Sequence, residues 1–303
     1  MKILVIGPSW VGDMMMSQSL YRTLKTRYPE AIIDVMAPAW CRPLLSRMPE
    51  VNEALAMPLG HGALALGERR QIGRSLRSSH YDQAYVLPNS FKSALVPFFA
   101  GIKTRTGWRG EMRYGVLNDA RTLNKTDFPL MVERYVALAY DAGTIASAAD
   151  LPQPLLWPKL SVSESEKTET AGLFSLPGDR PVVGFCPGAE FGPAKRWPHY
   201  HYAVLAQKLI ARGYRVVLFG SEKITMSGKI SATVWMTMTM PAAIIWPEKP
   251  AWNRRWCCWQ DARRLSVMIP GLCTLPRRLT GHWSRYMAPA APILRLRYQI
   301  KHG

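Results

Sequence analysis

The sequence has few of the residues that build metal and disulfide sites. Five cysteines occur among 303 residues, namely Cys41, Cys186, Cys257, Cys258 and Cys273, and no two have C-x-x-C spacing. An odd number without paired spacing is typical of free, buried thiols in a reducing compartment. We therefore expect no disulfide framework and no metal ligands.

Long apolar runs are also absent. The longest, such as Ala94–Ile102, are about half of the ~20 residues that a membrane-spanning helix needs. The N-terminal segment Met1–Gly7 is short, apolar and followed by proline. That pattern predicts a buried parallel strand rather than a signal peptide. We expect a cytoplasmic protein.

Acidic residues are scarce, and their scarcity is uneven. The net charge is +18, with 39 Lys and Arg against 21 Asp and Glu. Residues 1–223 hold 27 basic and 19 acidic side chains, whereas residues 224–303 hold 12 and 2, together with six of the eleven tryptophans. The excess of positive charge favours an anionic partner. The abrupt change in composition sets the last segment apart from the rest of the chain.

The first 145 residues alternate strand and helix signals, which predicts a parallel sheet covered by helices on both faces. In such sheets ligands bind at the carboxyl ends of the strands. The predicted strands are Ile3–Ile6, Ala31–Met36, Glu53–Met57, Tyr81–Leu87 and Ile102–Thr106, and the helices are Asp13–Thr26, Leu66–Leu76, one from Phe91, and Leu130–Ala142.

A second unit follows a segment rich in proline, alanine and serine. We predict an N-terminal domain over residues 1–150, a linker over 151–175 and the start of a second Rossmann-like domain over 176–223. The second unit should contain strand Pro181–Cys186, helix His199–Arg212 and strand Tyr214–Gly220.

The first candidate site is the G-P-S-W-V-G-D-M segment after the first strand. Gly12 permits a tight turn. Asp13 has two interpretations: it caps the helix that follows, or it faces the cleft and accepts a proton from a substrate hydroxyl. The G-x-G-x-x-G dinucleotide motif is absent from this turn.

The second candidate site is the P-G-A-E-F-G-P-A-K-R-W-P segment between a strand and a helix. A loop with free N–H groups before a helix favours an anion. Lys195 could neutralise a diphosphate leaving group, or it could be an ordinary surface lysine. A third feature is a basic run in the first domain, either a solvated surface or a cradle for phosphate and carboxylate groups. The run comprises Lys92, Lys103, Arg105, Arg109, Arg113 and Arg121.

These two segments, together with L-P-N-S-F-K-S at Leu87–Ser93, resemble the ADP-heptose:lipopolysaccharide heptosyltransferases of glycosyltransferase family 9, over residues 1 to about 223. The resemblance implies a GT-B fold, in which two Rossmann-like domains face a cleft. It also implies an inverting transfer of L-glycero-D-manno-heptose from ADP-heptose to the first heptose of the lipopolysaccharide inner core.

The resemblance assigns roles to single residues. Asp13 matches the general base, while Gly188, Ala189 and Lys195 match positions beside the donor diphosphate. The acceptor side is assigned more loosely to Ser9, Gly12, Asn89, Lys92, Arg109 and Arg113. The implied partners are ADP-heptose, as a substrate rather than a cofactor, and Kdo2-lipid A carrying one heptose. No cofactor is expected, and the place of action would be the cytoplasmic face of the inner membrane, in peripheral contact with it.

Residues 224–303 lack the family's later motifs, so the second domain is expected to be incomplete. When codons compatible with Val267–Thr274 are regrouped by one base, they encode Asn-Asp-Ser-Gly-Leu-Met-His, which matches a family loop. Trp246–Pro250 and Arg285–Pro289 regroup to two further family segments. We therefore hypothesise a one-base frameshift just after Lys223, which would impair donor binding and turnover and leave the chain prone to aggregation.

Two other functions remain open at this stage. Another GT-B transferase could use a different nucleotide sugar. A basic nucleic-acid-binding protein would account for the charge and for the tail rich in Trp and Arg. We favour the transferase, with no nucleic-acid partner, because the frameshift explains the composition of the tail.

Overall fold

The computed structural model describes residues 1–60, 62–173, 180–186, 197–219 and 243–246. Six parallel strands form the first sheet, in the order β3-β2-β1-β4-β5-β6. This is the order of a dinucleotide-binding Rossmann sheet. The strands are β1 (Lys2–Ile6), β2 (Ile32–Ala37), β3 (Glu53–Ala56), β4 (Gln83–Val86), β5 (Thr104–Trp108) and β6 (Asp119–Arg121).

The sheet separates two apolar cores because successive strand residues point to opposite faces. On β1, Ile3 and Val5 belong to one core, and Leu4 and Ile6 belong to the other. Helices α1 and α5 pack together on the first face, and α3 and α4 pack together on the second. The helices are α1 (Val11–Arg27), α2 (Arg42–Leu45), α3 (Leu66–Ser75), α4 (Leu95–Phe99) and α5 (Met131–Ala137).

Helix α1 begins two residues earlier than predicted and the short helix α2 was not predicted. Two further details differ from the sequence prediction. Strand β6 was missed, because three residues of sequence Asp-Ala-Arg carry no strand propensity. Helix α5 ends at Ala137 instead of reaching Ala142, and residues after it form turns before the positive φ of Gly143. Neither change moves the carboxyl edge of the sheet.

The segment predicted as a linker is ordered against the first domain. Leu151 and Leu160 are buried in the first core, and Glu164–Leu173 forms helix α6. An ion pair joins Arg47 to Glu166, with 2.6 Å between Nη1 and Oε1. The prolines of this segment gave no helical pattern in the sequence, so a linker was predicted. Two buried leucines and polar contacts nevertheless hold the segment against the first domain.

A second parallel sheet has the order β7-β8-β9, with β7 (Val182–Phe185), β8 (Arg215–Phe219) and β9 (Ala243–Trp246). Helix α7 (His199–Ala211) connects β7 to β8 as predicted. Strand β9 lies within residues 224–303, the segment whose composition differs from the rest of the chain, and no strand was predicted there. Its Ala-Ile-Ile-Trp sequence has high strand propensity, and it pairs with β8. The rest of 224–303 lies outside the described residues.

Candidate functional site

The parallel sheet brings the first-domain candidates to one edge. Residues after β1, β4 and β5 leave the sheet at its carboxyl ends, which all face the same way. The strand order reverses between β1 and β4, which are direct neighbours. Ligands of such sheets bind at this switch point. Asp13 follows β1, and Asn89 and Lys92 follow β4, so they flank it.

Asp13 does not cap its helix. Helix α1 begins at Val11, and its N-cap residue is Trp10, which makes no capping bond through its side chain. Asp13 is therefore the third residue of the first turn, where the helix dipole favours a negative charge. The capping interpretation of Asp13 was wrong, because the helix begins two residues earlier than predicted.

The Asp13 carboxylate has the environment of a base. Burial raises its pKa above the usual range of aspartic acid, and it has no hydrogen bond or ion pair with the described residues. Tyr135 on α5 is close enough that Asp13 reinforces the rise in the tyrosine pKa that burial causes. A carboxylate that is unpaired and partly desolvated can accept a proton more readily than a solvated one.

The backbone beside Asp13 is fixed by the loop after β2. Trp40 Nε1 donates a hydrogen bond of 3.0 Å to the Ser9 carbonyl, and Cys41 Sγ lies 3.9 Å from the same oxygen. The Cys41 thiol is buried, which raises its pKa to about 11 and keeps it protonated and unreactive at neutral pH. Ser9 therefore lies in a turn held by the loop after β2, Gly12 lies in the first turn of α1, and no hydrogen bond among the described residues involves the Ser9 hydroxyl.

Arg113 does not lie on a basic surface. Its side chain is 1% exposed. The guanidinium donates to the carbonyls of Pro88 (2.7 Å) and Trp108, and its Nη2 lies 3.5 Å from Asn89 Oδ1. Burial lowers the Arg113 pKa. The expectation of direct acceptor binding is corrected to a positioning role, because charge-assisted bonds to carbonyls join the loops after β4 and β5.

Of the other basic candidates, two are accessible at the carboxyl edge and two are bonded within the fold. Arg109 is exposed and Lys92 is half-buried, both at the carboxyl edge. Gly110 lies against Asn89, where an added Cβ would come within 2.4 Å of the Asn89 carbonyl oxygen. Arg121 instead pairs with Asp119 at 2.6 Å, and Arg105 donates to the Ile102 and Val116 carbonyls. Arg105 and Arg121 therefore support the fold.

The sequence analysis missed an exposed apolar rim at this edge. Its members are large side chains in the loops after β1, β2, β4 and β5, namely Trp10, Trp40, Phe91, Met112 and Tyr114. Met112 and Tyr114 are 82% and 69% exposed and flank the buried Arg113. Aromatic side chains without cover suit stacking against a sugar ring. The signal in the sequence was tryptophan inside a glycine-rich turn, where a buried core residue is not expected.

Three expected donor residues, Gly188, Ala189 and Lys195, lie outside the described residues, so their roles remain predictions. Two residues after Lys195 in the sequence, Trp197 stacks on His201, with ring centroids 5.2 Å apart, and meets Tyr202 edge-on. Burial raises the pKa of Tyr202. Within the described residues, no cluster of His, Cys, Asp or Glu could hold a metal ion.

The family model for glycosyltransferase family 9 (heptosyltransferase) matches residues 69–240. The chain belongs to this family. It is 78% identical over 223 residues to lipopolysaccharide heptosyltransferase 2 of Escherichia coli K12, which covers 74% of this chain and 64% of that protein. The lipooligosaccharide heptosyltransferase 2 of Haemophilus influenzae is 61% identical over 227 residues, with the same coverage. The chain thus spans 64% of the length of these relatives.

Solved structures agree with the family 9 assignment. The structure of E. coli ADP-heptose lps heptosyltransferase II matches with a TM-score of 0.82 and 62% identity, over 90% of this chain and 80% of that one. E. coli heptosyltransferase WaaC with ADP-2-deoxy-2-fluoro heptose matches at 0.65 and 18% identity, over 90% and 84%. The expected GT-B class is therefore confirmed. No helix of the described residues has the length and hydropathy to span a membrane.

Proposed function

We propose that this family 9 chain carries the acceptor side, and the beginning of the donor side, of an inverting heptosyltransferase. The donor is ADP-heptose, and the acceptor is the first heptose of the lipopolysaccharide inner core, on Kdo2-lipid A. The observation that carries the proposal is the unpaired, partly buried Asp13 carboxylate at the switch point of a family 9 sheet.

The reaction is a direct displacement. Asp13 accepts the proton of an acceptor hydroxyl as that oxygen attacks the anomeric carbon of the donor heptose. The bond from the anomeric carbon to the diphosphate oxygen breaks, and ADP leaves with the bonding pair. Lys195 is assigned to neutralise the charge that develops on the diphosphate. Attack from the face opposite the leaving group inverts the anomeric configuration.

The acceptor would be held by the loops after β1, β4 and β5. Asn89 and Lys92 offer donors in the loop after β4, the strand next to β1, while Arg109 suits the phosphate and carboxylate groups of the inner core. Arg113 keeps the Pro88–Asn89 loop against the loop after β5. Such an acceptor is anchored in lipid, so we place the enzyme at the cytoplasmic face of the inner membrane.

We further propose that the 303-residue chain transfers heptose slowly, because residues 224–303 do not have the sequence of the family's donor domain. The match to the E. coli relative covers 223 residues, which is the number of residues that precede Ile224. The family model runs to residue 240, however, and β9 lies later still. A break after Lys223 therefore stays a hypothesis that the DNA sequence would test.

The test compares two proteins: this chain, and a chimera in which the corresponding part of the E. coli relative replaces residues 224–303. Each is assayed for heptose transfer from ADP-heptose to the mono-heptosylated acceptor, with other nucleotide sugars as competing donors. We expect the chimera to transfer heptose and to prefer ADP-heptose, and the native chain to be much slower. A chimera that prefers another donor would establish the rival transferase function.

A further inference from the structure

Helix α3 and the 3-10 turn that follows it, Leu76–Ser79, present a basic and apolar stripe at the surface. Arg70, Arg74 and Arg77 recur at helical spacing and line an open groove of about 450 Å³ together with Leu66, Gly67 and Phe99. The groove runs beside the contact between α3 and α4, where Gly73 lies against Phe99 and Val96. Arg70, Arg74 and Arg77 are exposed along it.

The charge of this stripe is not neutralised within the fold. No ion pair among the described residues involves Arg70, Arg74 or Arg77. Arg77 Nε donates to the Phe99 carbonyl at 3.0 Å, which fixes that guanidinium beside the groove. Glu68 is the one acidic residue of α3, so the helix surface remains strongly positive.

Apolar side chains accompany the arginines: Leu66 and Phe99 line the groove, and Leu64 and Phe98 lie near them in the sequence. Leu64, Leu66 and Phe98 are 52%, 51% and 42% exposed. The Arg105 guanidinium lies over the Phe98 ring, 5.5 Å from its centroid. An apolar border beside arginines matches the interface of a bilayer, where acyl chains lie below anionic headgroups.

We propose that the α3 stripe (Leu64, Leu66, Arg70, Arg74, Arg77 and Phe98) docks on the surface of a bilayer containing anionic phospholipid. Helix α3 follows β3 and therefore begins near the carboxyl edge of the sheet, and it runs back towards the amino edge, where α4 ends at Phe99. Leu66 is thus the end of the stripe nearer to the Asp13 edge, and Arg77 is the farther end. A link between docking and a lipid-anchored acceptor rests on the proposed function; the docking itself is independent of catalysis.

The test is co-sedimentation of the full chain with vesicles of phosphatidylcholine, with and without phosphatidylglycerol. We expect binding only to the anionic vesicles, weakened by salt. The double variant Arg70→Glu/Arg74→Glu should bind about 25-fold more weakly or worse, since each basic residue near an anionic surface contributes a factor of about five. Leu66→Ser should also weaken binding, because it removes an apolar side chain that would enter the bilayer interface.

The matched control is Lys125→Glu/Lys208→Glu, which changes the net charge equally at exposed positions away from the stripe. It should keep most of the binding, and circular dichroism should show that both double variants are folded. Equal binding to both kinds of vesicle, or equal loss in both double variants, would overturn the proposal. Displacement by inorganic phosphate beyond the effect of chloride at matched ionic strength would also overturn it, in favour of a free-phosphate site.

The two proposals fail separately. The Arg70→Glu/Arg74→Glu substitutions introduced into the chimera should leave transfer to a detergent-dispersed acceptor unchanged. If the chimera shows no transfer while vesicle binding behaves as expected, the proposed function is wrong and the docking surface stands. If transfer is normal and vesicle binding is absent, only the docking surface is wrong.

Discussion

Gln18 and Lys159 are joined by two hydrogen bonds across 141 residues of sequence. Gln18 Oε1 accepts from the Lys159 backbone N–H, and Gln18 Nε2 donates to the Lys159 carbonyl, each at 2.8 Å. The Gln18 side chain is fully buried. The side-chain amide of Gln18 thus satisfies both backbone groups of Lys159, as a neighbouring β-strand would. These two bonds hold the segment after residue 150 against α1.

Replacing Gln18 should release that segment. Gln18→Ala leaves the Lys159 N–H and carbonyl without their partner and should lower the free energy of unfolding by about 2–3 kcal/mol. Limited proteolysis should then cut near residues 155–162 faster than in the wild type. The exposed Gln71→Ala is the control and should change neither quantity. Unaltered cleavage in Gln18→Ala would show that the leucines alone hold the segment.

Arg113 should matter for stability more than its charge suggests. Arg113→Lys cannot reach the Pro88 and Trp108 carbonyls at once, so we expect a loss of about 2–4 kcal/mol in unfolding free energy. Lys92→Ala, at the same edge, should lose less than about 0.5 kcal/mol. Urea denaturation checks both variants. Equal effects would mean that Arg113 is not the tie between these loops.

Two glycines in α3 should respond in opposite directions to the same substitution. An alanine Cβ at Gly67 meets nothing within 4 Å, so Gly67→Ala should stabilise by up to about 1 kcal/mol through helix propensity. At Gly73 the Cβ would lie 2.5 Å from Phe99 Cβ and 2.7 Å from the Val96 carbonyl oxygen. Gly73→Ala should therefore destabilise by about 1–3 kcal/mol. Thermal unfolding gives both signs, and stabilisation by Gly73→Ala would contradict the α3–α4 packing.

Asp13 should reduce stability at neutral pH. Its pKa is raised in the folded state, so the folded protein holds this proton more tightly than the unfolded chain does. The associated stability is present below pH ~4, the ordinary aspartate pKa, and is lost as the pH rises through the folded value. Asp13→Asn should therefore raise the melting temperature at pH 7 and change it less at pH 3.5. A lower melting temperature at pH 7 would mean that the carboxylate stabilises the fold.

The sequence supported the prediction of the strands around the site because their apolar runs and closing turns are local signals. It also placed Asp13, Asn89 and Arg109 at the right edge, since parallel strands share one carboxyl side. It could not show that Arg113 turns inward, because its burial depends on the carbonyls of Trp108 and Pro88, five and twenty-five residues away. The same limit applies to Gln18, whose partner becomes a neighbour only in the folded chain.

Other errors came from weak local signals. Strand β6 has three residues and depends on its neighbour β5 for its conformation. Strand β9 lies within residues 224–303, where no strand was predicted, and it pairs with β8. For β6 and β9, a neighbouring strand decided the outcome. The exposed tryptophans of the site follow no apolar period, so the sequence pattern did not reveal them.

The central claim is that Asp13 accepts the acceptor proton, and the steady-state kinetics of Asp13→Asn in the chimera test it most directly. We predict that kcat falls about 10²–10⁴-fold, while KM for both substrates stays within a few-fold. In the unsubstituted chimera, kcat/KM should fall on the acidic side with a pKa above the ordinary aspartate value. An Asp13→Asn chimera that keeps its kcat would contradict the account.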